Sequence, residues 1–255
     1  MVTLVMLAAS LALASEVPES LARKLAEFKG AERGQLIAIA DENFTRAFPG
    51  YMFYVLRFRQ YPVAQAPPQP LKSNNLFVVK LDESVDYIGD DETLKAFFRA
   101  SLAPVKTAAA ARSAVKAWLR LSEEFYQDGF FQFSIPEDSL RAGSTGDGGI
   151  EASGKALVDK QGGNEGELDA SFVFDRSGAV KKISESARIQ QGVRPICQAT
   201  KLLDPDPVVR RMAEQDILVM GRAAQEYLEE QRAKANPELQ AAIDRIWQRI
   251  QDEKR

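Results

Sequence analysis

The amino-acid sequence predicts an α+β fold in which a helix packs on an antiparallel β-meander, preceded by a smaller α+β region and followed by a helical hairpin. Three observations carry that expectation. Between Thr107 and Gln127 the residues Val115, Trp118, Leu119, Ser122 and Tyr126 recur at a helical period. From Phe130 to Ile189 the period falls to two, and glycine-containing turns separate the runs. After residue 200 the helical period returns, with Asp206-Pro207 and Asn236-Pro237 as helix starts.

The elements follow in chain order. Pro18 to Lys29 reads as a helix with Leu21, Leu25 and Phe28 on one face and Gly30 at its end. Ala31 to Phe44 reads as a second helix, with Leu36, Ile37 and Ala40 along one side, before Phe48-Pro49-Gly50 turns the chain. Tyr51 to Tyr61 alternates Met52, Tyr54, Leu56 and Phe58 against Tyr51, Phe53, Val55, Arg57 and Arg59, the pattern of a strand. Pro62, Pro67, Pro68 and Pro70 hold an extended connection, and Leu76 to Leu81 returns as a second strand. Gly89-Asp90-Asp91-Glu92 announces a helix, because an aspartate cap and an acidic first turn satisfy free amides and the helix dipole. Leu94, Phe97, Phe98 and Leu102 share the buried side of that helix, and Pro104 ends it. Asp128-Gly129 stops the long Ala-rich helix that follows. Phe131, Phe133 and Ile135 open the meander, and Gly143 to Gly149 reads as a flexible loop. Strands are then expected at Glu151 to Asp159, Leu168 to Phe174 and Val180 to Ile189. Three helices complete the chain: Val208 to Met220, Ala223 to Ala235, and a last one carrying Leu239, Ile243, Ile246, Trp247 and Ile250.

Residues 2–14 form an apolar run interrupted only by Thr3 and Ser10, and Ala12-Leu13-Ala14 supplies a small-x-small pattern before Ser15. The run is shorter than the roughly 20 residues a membrane-spanning helix needs. It reads as a signal peptide cleaved near Ala14, so the mature chain is expected to be periplasmic or secreted, with no transmembrane span. The expected organisation is a signal peptide at 1–14, an N-terminal α+β region at 15–105, a helix-plus-sheet domain at 106–199, and a helical segment at 200–255.

The chain has no histidine and a single cysteine, Cys197. Imidazole is the one side chain whose unperturbed pKa lies near neutrality, and it is the commonest metal ligand. Ser-His-Asp hydrolysis, Cys-His proteolysis and His-based zinc sites are therefore excluded from this chain, and an intrachain disulfide is excluded with them. A formal net charge of -3 is near balance and argues against electrostatic binding to nucleic acid, which needs a basic surface to displace counterions, so nucleic acid is not an expected partner. The residues point to no catalytic set, no metal site and no cofactor.

The run Asp204-Pro205-Asp206-Pro207-Val208-Val209-Arg210, continuing through Ala213 and Leu218 to Gly221 and Leu228, resembles a HEAT-type helical repeat. Asn236-Pro237-Glu238 is similar to the start of a second unit, with Gln240 where that repeat usually places Arg. The resemblance covers residues 200–255 and implies a stacked helical surface that binds partners. About one and a half units fall short of the three or so that a free-standing solenoid needs, so a HEAT-like hairpin docked on the sheet is expected. In element order alone, residues 108–189 look like the cystatin-like and NTF2-like α+β families, in which a helix packs into a curled antiparallel sheet. Those families include inhibitors, binding pockets and enzymes, so the resemblance implies a fold and leaves function open.

Three near-matches to chemical motifs fail on their context. Gly149-Ile150-Glu151-Ala152-Ser153-Gly154-Lys155-Ala156 approaches the phosphate-cradling G-x-x-x-x-G-K-[ST] loop, but Ala156 lacks the metal-binding hydroxyl and the flanking residues alternate as a strand. Ser113-Ala114-Val115-Lys116 matches S-x-x-K inside an Ala-rich helix, with no S-D-N or K-T-G partner, and both residues are expected on a mostly solvated face. Asp82, Glu83, Asp86, Asp90, Asp91 and Glu92 supply oxygens without the spacing of a calcium loop. The candidate binding surface is the strand from Tyr51. If Met52, Leu56 and Phe58 face the core, Tyr51, Phe53, Arg57 and Arg59 share the other face, where guanidinium forks and aromatic planes could hold an anionic or sugar-like ligand.

The function expected from these features is that of an exported, non-enzymatic binding or assembly module whose partner is another exported protein or a cell-envelope component. A carboxylate-dependent hydrolase or lyase acting on an envelope polymer is the alternative, and it requires a cleft with two convergent carboxylates. A small-ligand carrier is a third reading, and it requires an empty interior in the curled sheet.

Overall fold

Helix α4 (Ala108–Ser122) owes its position to its small residues. Ala111, Ala114 and Ala117 are buried together with Val115, Trp118, Leu119 and Leu121, so this helix meets neighbours around most of its circumference. Thr107 caps it, its hydroxyl accepting from the Ala110 amide at 3.1 Å. The computed structural model describes residues 17–59, 66–160, 163–192 and 199–252. It shows an α+β fold with two antiparallel sheets and a C-terminal group of helices.

The first sheet is a four-stranded meander of β1 (Gln35–Ile39), β2 (Met52–Arg57), β3 (Asn74–Val79) and β4 (Val85–Ile88). On one face Phe53, Val55, Leu76 and Val78 join the core around α4, with α2 (Glu42–Ala47) and α3 (Asp91–Ser101). On the other, Tyr54, Leu56, Phe58, Phe77 and Val79 pack with Leu21 of α1 (Glu19–Ala26), with Ala31 and with Leu71. Both faces of the central strands are thus covered.

The second sheet runs β5 (Phe133–Ser134), β7 (Ile150–Val158), β8 (Glu165–Phe174), β9 (Val180–Gln190), with β6 (Arg141–Ser144) also paired to β7. Its inner face, Ala152, Ala156, Leu168, Ala170, Phe172 and Phe174, packs in the same core as α4. Gly154 lets the layers approach: a Cβ there would lie 2.6 Å from Leu140 and 2.9 Å from Val115. That core runs from Phe44 to Ile183 and so crosses the expected boundary at residue 105. The C-terminal helices α5 (Pro207–Met220), α6 (Gln225–Lys234) and α7 (Pro237–Asp252) hold a separate core, into which Phe130 reaches. Asp206 caps α5 by accepting from the Val208 amide at 2.7 Å, with Pro207 in the first turn. No helix among the described residues is long and apolar enough to cross a membrane.

Several expectations are corrected. Residues 31–44 are not one helix but a 3-10 turn at Ala31–Arg33, strand β1, and then α2 restarted by an Asp41 cap. Gly34 lies against β2, where a Cβ would come within 2.8 Å of Leu56, and the sequence after it pairs with β2 as a strand. Residues 141–144 belong to a β6–β7 hairpin, which places a strand at the start of the expected loop, and β4 is a strand the alternation did not reveal. The strand from residue 51 ends at Arg57, and residues 60–65 lie outside the described part, as do the apolar run at 2–14 and Cys197.

Replacing Gly154 by Val is expected to lower unfolding free energy by about 1–3 kcal/mol through overpacking against α4. Gly143→Ala, where a Cβ meets nothing within 4 Å, should leave it nearly unchanged. Urea denaturation of the two variants checks the contrast.

Candidate functional site

Strand alternation sends Ser153, Lys155 and Leu157 of β7 away from α4, together with Glu167, Asp169, Ser171 and Val173 of β8 and Lys182, Ser184, Ser186 and Arg188 of β9. Of these, Ser153, Lys155, Leu157, Asp169, Ser171, Ser184 and Ser186 line a groove of about 670 Å³ on the outer side of the sheet, rimmed by Pro136, Asp138 and Arg141. A second depression of about 440 Å³ adjoins it, sharing Arg141, Ser153 and Ser171 and reaching Glu151 and Lys182.

The register divides the surface into two halves. In one, Lys155 pairs with Glu167 at 2.9 Å and Asp169 at 3.0 Å, while Arg188 pairs with Asp169 at 3.0 Å and also with Glu167. The Lys155 ammonium, with Arg188 beside it, holds the Glu167 carboxyl below the usual carboxylate range, and Glu167 with Asp169 holds Lys155 above its own. Two carboxylates do converge here, but both are locked into ion pairs. The other half is the cross-strand row Arg141, Ser153, Ser171, Ser184, each opposite the next. Its guanidinium has no ion-pair partner among the described residues, its hydroxyls make no hydrogen bond to them, and Lys182 next to Ser184 along β9 is also unpaired. The Ser139 hydroxyl accepts from the Lys155 amide at 3.3 Å and bridges the gap between β5 and β6 along the edge of β7.

The inner side of the sheet is filled. Trp118 lies 5.0 Å from Phe98 and 5.7 Å from Phe172 between ring centroids, and all three are buried. Glu185 projects to this side, where its carboxylate accepts from Trp118 Nε1 at 2.5 Å and from the Tyr126 hydroxyl at 3.0 Å. Burial first, and Glu185 second, pushes the Tyr126 phenol upward. Side chains fill the space between α4 and this sheet.

The four residues expected as a binding face are not presented together. Phe53 is buried and stacked on Phe44 at 4.7 Å, and Tyr51 packs edge-on to Phe48 and Phe97. Arg57 makes a two-pronged contact with buried Glu124, at 3.1 Å from Nε and 2.5 Å from Nη2. Arg59 pairs with Glu230 of α6 at 2.5 Å. The sheet is covered on both sides, so its arginines serve as ties between layers.

The near-matches resolve in the same way. Gly154 is a packing glycine inside β7, and Lys155 belongs to the ion-pair network. Ser113 is buried on α4, contrary to the solvated face expected for it, and Lys116 pairs with Glu137. Asp82 accepts from Ser84, Asp86 pairs with Lys80, and Asp90 caps α3 with Thr93. Among the described residues no group of three Cys, Asp or Glu side chains is placed to hold a metal ion.

One carboxyl away from the groove stands out. Glu123, in the 3-10 turn after α4, accepts from Arg120 at 3.0 Å through Oε1, while its buried Oε2 has no hydrogen-bond partner. Burial raises its pKa to about 7, against the pull of Arg120 and with a push from Glu124. Neither groove reaches it. Comparison with protein-family models, curated proteins and solved structures returns no match.

Because native Glu123 keeps a proton that the unfolded chain gives up near its ordinary pKa, stability falls as pH rises from about 4.5 to about 7 and levels off above. Glu123→Gln removes that loss. Its stabilising effect over the wild type should be small at pH 5 and reach on the order of 2–3 kcal/mol at pH 8. Equal effects at both pH values, measured by denaturant titration, would contradict this origin.

Proposed function

We propose that this protein is an exported, non-enzymatic binding module that holds another exported protein or a cell-envelope component on the outer face of its five-stranded sheet. The observation that carries the reading is the row Arg141, Ser153, Ser171, Ser184, whose polar groups point outward with no partner among the described residues. Neighbouring strands lie about 4.8 Å apart, so the row offers donors and acceptors at regular steps to an extended polar ligand. A hydrolase would need a carboxyl poised to exchange protons near working pH. Glu167 is instead held ionised by Lys155 and Arg188, which suits a surface that displays charge. The C-terminal helices, whose sequence resembles a HEAT-type unit, fit an assembly role beside this surface.

Ser171 is exposed at the centre of the row, so Ser171→Tyr should block it without disturbing the core. Recovery of a bound partner from the exported fraction should drop at least tenfold relative to the wild type, with an unchanged melting temperature. Undiminished recovery, or turnover of an envelope polymer that survives the substitution, would overturn the reading.

A further inference from the structure

Helix α5 carries two apolar faces. Ala213, Ile217 and Met220 are buried in the C-terminal core. On the opposite side Val208 is 50% exposed and Met212 62% exposed, the two exposed large apolar side chains on helices among the described residues. With Gln215 and half-buried Val219 they form a stripe at positions 208, 212, 215 and 219. Steps of four, three and four are the spacing of a coiled-coil seam, where every such residue meets an equivalent helix. A face that only met water would gain nothing from Val and Met at these places.

The flanking charges identify the other helix. Arg211 precedes the seam residue Met212 on one flank, and Asp216 follows the seam residue Gln215 on the other. Neither has an ion-pair partner among the described residues. In a parallel pair of identical helices, a residue just before one seam position faces the residue five places further along the partner, on the opposite flank. Arg211 of one copy then meets Asp216 of the other, and symmetry repeats the contact. An antiparallel pair would bring the two Arg211 flanks to the same side and leave both Asp216 carboxylates unmatched.

We propose that α5 packs in parallel against α5 of a second copy of this chain, with Val208, Met212 and Val219 as the seam and two Arg211–Asp216 contacts fixing orientation. Gln215 sits opposite its own copy, where paired amides favour this register over its neighbours. One face of a single helix buries less than the ~800 Å² per partner of a stable complex, so the association is weak and dependent on concentration. It involves no groove residue and stands apart from the binding surface on the sheet.

Sedimentation equilibrium of the full chain over a hundredfold concentration range, up to about 1 mM, tests it. The wild type should show a reversible monomer–dimer equilibrium. Met212→Glu should raise the dissociation constant at least tenfold. Arg211→Asp and Asp216→Arg should each raise it severalfold, and the two together should restore it. Arg211 and Met212 are exposed and Asp216 is half-buried, and matching melting temperatures confirm that the variants fold. A chain that is monomeric throughout, or a dimer indifferent to Met212→Glu, overturns the proposal. Failure of the double exchange to restore pairing overturns the parallel arrangement.

Discussion

The close burial of α4 is the constraint on which the other elements depend. A helix can approach a sheet on one side and further layers on others only if its side chains are small where backbones come near. Ala111, Ala114 and Ala117 meet that condition on α4, and Gly154 meets it on β7. Once α4 is central, each sheet must turn its apolar face inward. The first sheet then still needs a cover for Tyr54, Leu56 and Phe77, which α1 and the turn at Ala31 supply. The second carries serines and charges on its outer face, and no helix among the described residues covers it. The groove therefore follows from an asymmetry in composition between two sheets that share one core.

Three acidic side chains near α4 are accommodated in three different ways. Glu124 accepts both prongs of the Arg57 fork, which ties β2 to the end of the helix. Glu185 accepts from Trp118 and Tyr126 and ties β9 to the same helix. Glu123 has Arg120 on one oxygen only, and burial favours its neutral form. Removing a partner from either of the first two would leave an unmatched buried carboxylate, a larger penalty than the pair itself contributes. Their role is to fix how the layers sit, since directional contacts choose among packings that apolar surfaces alone would allow.

The helical period of α3 and the alternation of β7 to β9 are legible because each has one consistent inner face, and α4, though buried around most of its circumference, keeps its large side chains Val115, Trp118 and Leu119 at helical spacing. Elsewhere the same rules failed for physical reasons. Leu36 to Ala40 satisfies a helical spacing, yet pairing with β2 decides in favour of a strand. The alternation of Tyr51 to Tyr61 predicts a half-exposed strand, whereas Phe53, Tyr54, Val55 and Leu56 form a continuous apolar run, the mark of a strand buried on both faces. Arg57 and Arg59 then point toward buried or partly buried glutamates some 70 to 170 residues away in sequence, which no local pattern can show. The serine row is invisible for the same reason. Ser153, Ser171 and Ser184 are unremarkable singly, and only the strand register sets them side by side.

The missing histidines change meaning in this setting. A chain without imidazole can still run proton chemistry if burial or a like charge brings a carboxyl or a lysine near neutrality. The outer face of the sheet does the reverse: Lys155 and Arg188 hold the Glu167 carboxyl low, and Glu167 with Asp169 holds Lys155 high. Among the described residues the carboxyl that burial lifts toward neutrality, Glu123, is buried in the turn after α4, outside both grooves. The raised proton affinity of Glu123 thus lies apart from the accessible grooves. What the groove offers is hydrogen bonding on one half and paired charge on the other.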